Sequence, residues 1–173
     1  MRLISPATEH LPALSRLAAA TFSETFGYLY PPEDLDAFLI KSYAAEALAA
    51  QFADASQFWQ MAVDDDGRAL GYLHCGPVGL PHAEADATAH GELKRIYVHS
   101  SAQRRGLGKR LLTTAMEWME STYGPAPQWI GVWSGNVKAQ TLYQAYGFER
   151  VGEYKFAVGK TLDDEFILRR VVK

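Results

Sequence analysis

The stretch Gln103-Arg104-Arg105-Gly106-Leu107-Gly108 decides the fold. A strand-like segment, Glu92 to Val98, precedes it. A helical run, Gly106 to about Thr122, follows, with Leu111, Leu112, Ala115 and Met119 on one face. The order is therefore strand, tight turn, helix. Gly106 and Gly108 carry no side chain, so a ligand can approach the backbone closely. The free N–H groups and the positive dipole at a helix start favour an anion. Arg104, Arg105, Lys109 and Arg110 add positive charge. The turn reads as a cradle for a pyrophosphate. It is neither the G-x-G-x-x-G dinucleotide fingerprint nor a Walker loop, because no Gly-Lys-Ser/Thr follows.

Working outward, MRLIS reads as a short first strand. Thr8 to about Gly27 reads as a helix, with Pro12 tolerated in its first turn. A second helical stretch runs from about Pro32 to Phe52. Phe58–Val63 and Arg68–Cys75 pair across Asp64-Asp65-Asp66-Gly67, a hairpin turn in which Asp-Gly accepts positive φ. Residues 76–91 form a loop rich in Gly, Pro, Ala and His. After the central helix come a strand, Trp129–Trp133, and a helix, Asn136–Tyr146, closed by Gly147. Two strands finish the chain, near Val151–Val158 and Phe166–Val172. The pattern predicts an α/β fold with one mixed sheet and helices on both faces.

The chain has 173 residues, which predicts a single domain over residues 1–173. No apolar run approaches the ~20 residues of a membrane span. The start lacks the apolar core of a signal peptide, and one cysteine, Cys75, excludes an internal disulfide. No metal site is expected, since no Cys/His cluster is present. These features predict a cytoplasmic protein. The net charge of −3 divides unevenly: residues 1–93 carry −9 and residues 94–173 carry +6. Six basic residues and no acid lie between Lys94 and Arg110. Such a split fits an anionic partner on one side and a cationic partner on the other. A nucleic-acid partner is not expected, because the basic run coincides with the cradle.

Gln103 to Gly108 resembles the Q/R-x-x-G-x-G/A signature of the GNAT superfamily of acyl-CoA-dependent N-acyltransferases. Leu93-Lys94-Arg95-Ile96-Tyr97-Val98 is similar to that family's fourth strand. Asn136 and Ala139 to Phe148 are similar to its later Asn…Tyr-x-x-x-Gly-Phe segment. The likeness covers nearly the whole chain. It implies a central sheet of about seven strands, splayed between the fourth and fifth. Thr21 to Phe26, Arg95-Ile96-Tyr97, Gly131-Val132-Trp133 and Gly147-Phe148 further resemble the PaiA-like polyamine acetyltransferases.

The resemblance implies acetyl-CoA as the acyl donor and a small primary amine, such as spermidine or spermine, as the acceptor. No metal is implied. Ile96, Tyr97 and Val98 would pair with the pantetheine arm through their backbone. Gln103, Arg104, Arg105, Gly106, Leu107, Gly108 and Lys109 would hold the pyrophosphate. Asn136 would bond the cofactor or cap its helix. Tyr143 matches the tyrosine that faces the thioester sulfur, and Glu92 matches the carboxylate some members use as a base. Glu24, Glu33 and Asp34 would meet a second ammonium, and Trp133 would pack on the amine. Two other readings stay open: the same chemistry on an amino acid, peptide N-terminus or aminoglycoside, and a non-catalytic acyl-CoA-binding regulator. The chain is expected to act as a monomer or homodimer.

Overall fold

A computed structural model describes residues 1–172. The strands are β1 Arg2–Ile4, β2 Phe58–Val63, β3 Ala69–Pro77, β4 Gly91–Val98, β5 Gln128–Trp133, β6 Glu149–Val158 and β7 Thr161–Arg170. The helices are α1 Leu11–Phe26, α2 Pro32–Tyr43, α3 Ala45–Phe52, α4 Leu107–Tyr123 and α5 Val137–Ala145. The strands form one seven-stranded sheet in the order β1-β2-β3-β4-β5-β7-β6. Among these neighbours β4 and β5 run parallel, and the other pairs are antiparallel. The fold is the mixed α/β sheet that the sequence pattern predicts.

Two cores hold helices against opposite faces. On one face Leu107, Leu111, Leu112, Ala115 and Met119 of α4 pack with Leu93, Ile130, Tyr143 and Leu168. Their i, i+4 spacing places one apolar stripe toward the sheet. On the other face α1, α2 and α3 cover an aromatic cluster. There the Phe22 ring lies 4.7 Å from Phe38 and 5.7 Å from Tyr43, centroid to centroid. A smaller cluster of Val78, Leu80, Trp129 and Ile167 continues this face under β5 and β7.

Two expectations are corrected. The stretch from Pro32 to Phe52 is two helices, because Ala44 turns to an extended conformation (φ −55°, ψ 148°). Ala44 closes α2 through its N–H and opens α3 through its C=O. The last strand begins at Thr161 instead of Phe166, since Gly159 (φ +58°) makes a tight turn that pairs Val158 with Thr161. Strand β4 also carries a bulge. Its register on β3 pairs Arg95 with His74 and Leu93 with Cys75, leaving Lys94 as an extra residue. A bulge of this kind reverses side-chain alternation and bends the strand. Leu93, Ile96 and Val98 consequently share the α4 face. Glu92 therefore lies on the face of Arg95 and Tyr97, opposite to that of Ile96 and Val98.

The bulge also sets the opening. Parallel pairing of β4 with β5 covers Gly91–Gln128, Glu92–Trp129 and Leu93–Ile130, and none follows Leu93 among the described residues. Beyond that point the facing backbone edges of the two strands are available to a ligand.

Candidate active site

A cleft of about 1110 Å³ passes through this opening. It joins the cradle and α5 on one face to the aromatic helical cluster on the other. Ile96, Tyr97 and Val98 line it where β4 has left β5. Tyr97 stacks on Tyr72 at 5.8 Å, which fixes this part of the strand.

The cradle is built from backbone. Gln103 Nε2 donates to the Val98 carbonyl at 3.1 Å, folding the turn back on the strand end. Arg104 (φ +62°) and Gly106 (φ +77°) are both left-handed. Arg104 is the lone non-glycine residue in that region among the described residues. Alternating left-handed residues make a concavity of N–H groups suited to an anion, and strain in such a place marks a site. The first N–H bonded inside α4 is that of Arg110, to the Gly106 carbonyl. The N–H groups of Leu107, Gly108 and Lys109 are thus free of helical partners. At Gly108 a Cβ would meet only Val98 Cγ2, at 3.9 Å, so the approach to the backbone is open. Arg104 and Lys109 line the cleft, and Leu107 anchors the turn in the core. Arg105 is exposed outside the cleft lining, whereas Lys138 of α5, which the sequence reading missed, lies within it. These residues fit the diphosphate and pantetheine of acetyl-CoA, because they supply free N–H groups, cations and an open strand edge.

Asn136 caps α5 through Oδ1, which accepts from the Ala139 N–H at 3.1 Å, and it also borders the cleft. Tyr143 is buried against Phe148, with ring centroids 6.2 Å apart. Its hydroxyl makes no hydrogen bond among the described residues and faces the cleft. Burial, aided by the charge of Glu165, pushes the Tyr143 phenol well above its usual pKa.

The opposite face is acidic. Glu92 Oε2 accepts from the Gly79 N–H at 2.7 Å and from Lys94 Nζ at 3.1 Å. Glu165 Oε2 accepts from the Tyr154 hydroxyl at 2.9 Å. Burial is the main cause that raises the Glu165 pKa from 4.5 to about 7. Asp163 accepts from the Tyr30 hydroxyl at the same end. Aromatic rings close the wall, with Trp133 edge-on to Phe26 at 5.9 Å. Glu165, Asp163 and Tyr154 escaped the sequence reading. The signal that could have found Glu165 is a glutamate immediately before the apolar run Phe166–Leu168.

The acidic residues expected to meet the amine lie elsewhere. Glu24 accepts from the Ser100 hydroxyl at 2.9 Å and pairs with His99 Nε2 at 3.4 Å, outside the cleft. It ties α1 to the turn after β4. Asp34 Oδ2 accepts from the Lys160 N–H at 3.2 Å, bracing the β6–β7 turn. Glu33 is exposed in the first turn of α2, where a carboxylate suits the helix dipole. Of the expected substrate residues, Trp133 lines the cleft.

Residues 13–148 match the profile of the acetyltransferase (GNAT) family. The chain is 30% identical to the N-acetyltransferase of the pepI 3′ region of Lactobacillus delbrueckii subsp. lactis, over 99% of this chain and 98% of the relative. The spermine/spermidine N(1)-acetyltransferase of Bacillus subtilis (strain 168) is 29% identical over 73 residues, which is 42% of this chain and 48% of that protein. Among solved structures, the PaiA N-acetyltransferase of Thermoplasma acidophilum in complex with coenzyme A superposes with a TM-score of 0.76 at 18% identity, covering 98% of each chain. The ribosomal-protein-S18-alanine N-acetyltransferase of Escherichia coli does so with a TM-score of 0.71 at 19% identity, covering 99% of this chain and 94% of that one.

Proposed function

The chain belongs to the GNAT acetyltransferase family and uses acetyl-CoA to acetylate an amine, and from that premise we propose that the amine is a polyamine such as spermidine or spermine. One observation carries this reading: Glu92, Asp163 and Glu165 converge on the cleft face opposite Tyr143, among aromatic rings. A polyamine presents ammonium groups separated by methylenes. Carboxylates suit the first and aromatic walls the second. The partial similarity to the Bacillus subtilis spermine/spermidine enzyme supports the same class.

Acetyl-CoA, when bound, supplies an activated acyl carbon whose leaving group is a thiolate. The remaining roles fall to the chain. Arg104, Lys109 and the free N–H groups of the cradle bind the diphosphate. Asn136 borders the same channel. The backbone edges of Ile96, Tyr97 and Val98 orient the arm, as a strand adds to a sheet edge. Tyr143 donates a hydrogen bond toward the sulfur as it gains charge. Glu92, positioned by the Gly79 N–H and Lys94, binds an ammonium of the acceptor. Both substrates are bound together, and acetyl passes directly between them.

A second reading has its own observation. Arg95 is half-buried in the cleft wall, bonded to Gln51 Oε1 at 2.8 Å and lying over Tyr43, and it has no carboxylate partner among the described residues. That arrangement favours an amine that also carries a carboxylate.

Release of CoA thiol across an amine panel separates the two. The polyamine reading predicts the highest kcat/KM for spermidine or spermine, well above matched monoamines and amino acids. It also predicts that Glu92→Gln raises the KM for spermidine about tenfold or more, the effect of losing a charge-assisted bond. A preferred acceptor that carries a carboxylate and no second ammonium would overturn it.

A further inference from the structure

We propose that Glu165 is the catalytic carboxylate that takes the proton from the acceptor ammonium, a role that rests on the amine acetylation described above. Glu165 extends from β7 at the register position of Trp133 on β5. Its carboxylate and the Tyr154 hydroxyl lie over Gly131. A Cβ at Gly131 would stand 2.8 Å from the Tyr154 oxygen and 3.4 Å from Glu165 Oε2. Gly131 is the first β5 residue beyond the last pair with β4. The carboxylate therefore sits at the mouth of the gap between the strands, on the face away from Tyr143. The absent side chain at Gly131 makes room for the Tyr154 hydroxyl, Leu80 and the Glu165 carboxylate to pack against the strand there. An amine entering from the aromatic side meets Glu165 where the two faces join.

The neighbours of the two glutamates divide their labour. Glu92 receives a backbone N–H and the Lys94 ammonium, so its carboxylate is already engaged. Glu165 receives one neutral donor, Tyr154 of β6. Two carboxylates face it, Asp163 on its own strand and Glu92 on β4. Tyr97 of β4, Tyr143 of α5 and Tyr30, just before α2, are its other titratable neighbours. Burial and these acids lift its pKa to about 7, and the Tyr154 bond opposes them. An alkylammonium titrates near 10.4, so the lift narrows the gap that the proton must cross.

The step balances. The ammonium gives one proton to Glu165, and its nitrogen keeps the lone pair that forms the C–N bond to the acyl carbon. The C–S bond breaks with its electron pair on sulfur. A second N–H proton passes to that sulfur, giving thiol and amide, and Glu165 returns its proton to water. The reactive state pairs ionised Glu165 with the protonated amine.

The pH dependence of kcat/KM for spermidine, with wild type, Glu165→Gln and Tyr154→Phe, tests this. Wild type is expected to rise tenfold per pH unit up to about pH 7 and then hold level toward the amine pKa. Glu165→Gln keeps an acceptor for Tyr154. It is expected to fall about 10²–10⁴-fold at pH 7.5 and to lose the plateau, rising instead with the free amine. Tyr154→Phe removes the bond that stabilises the carboxylate, so its acid limb is expected to move above pH 7. Melting temperatures and the CoA affinity of each variant, measured alongside, establish that the fold and donor site are kept. A wild-type plateau retained by Glu165→Gln would overturn the role while leaving acetyl transfer standing. No CoA release from wild type with any amine would overturn both.

Discussion

Tyr143 and Glu165 line the cleft from opposite faces and burial raises the pKa of both, yet the roles proposed for them lie at opposite ends of the reaction. A thiol titrates near 8.5 and a free phenol near 10, so full proton transfer from tyrosine to the thiolate is already uphill by roughly 2 kcal/mol. Burial raises the Tyr143 pKa further, which makes the transfer harder. The site thus favours a phenol that donates a hydrogen bond and keeps its proton. Tyr143→Phe is expected to lower kcat about 10–10²-fold, the value of one bond to a charged acceptor, with little change in the affinity for CoA. Steady-state kinetics and calorimetric titration of CoA check both halves. The place of Tyr143 in the cleft wall was legible in the sequence because a local motif marks that residue. Glu165 was not. The charged stretch Thr161–Glu165 hides the alternation of β7, and the partner that gives Glu165 meaning, Gly131, lies on another strand.

At the scale of elements, the strand–turn–helix unit was the most legible part. Its cues are local: an apolar strand, two glycines and one apolar helical stripe. The left-handed Gly106 predicts a double effect for Gly106→Ala. Stability is expected to fall by about 1 kcal/mol from the positive φ. CoA binding is expected to weaken more than stability, because the N–H concavity loses its shape. Thermal melts with and without CoA read the two effects apart. An unchanged CoA affinity would exclude the cradle. The bulge at Lys94 was illegible, since nothing in Glu92 to Val98 interrupts the pattern. Register on β3 creates it, and it moves Glu92 to the face of Arg95 and Tyr97. The break at Ala44 is equally silent, because alanine is a good helix former and the turn there follows packing.

For the whole molecule, the charge division of the sequence only partly describes the cleft. Its acidic face draws Asp163 and Glu165 from the half with net positive charge, and Glu92 from the acidic half. Glu24 and Asp34 serve instead as struts between elements. Two buried groups predict opposite trends of stability with pH. Glu165 has a folded pKa raised above 4.5, so its penalty is absent below pH 4.5 and complete above about pH 7. Glu165→Gln is therefore expected to stabilise the fold at pH 8 by up to about 3 kcal/mol, and by little at pH 4.5. His74, stacked on Trp59 at 3.8 Å, has its pKa pushed down to about 2 by burial and by Arg95 and Lys94. Its contribution is present above pH 6.5 and declines as pH falls below that value. His74→Gln is expected to lessen that acid loss, and melts across pH 4–9 resolve both groups. The proposed reaction is direct transfer of acetyl from bound acetyl-CoA to a bound polyamine. The measurement that tests it most directly is mass analysis of protein and amine after mixing the enzyme with acetyl-CoA and spermidine. Direct transfer predicts acetylated spermidine, CoA thiol in equal amount and an unmodified protein. CoA binding without thiol release or acetylated amine would contradict it.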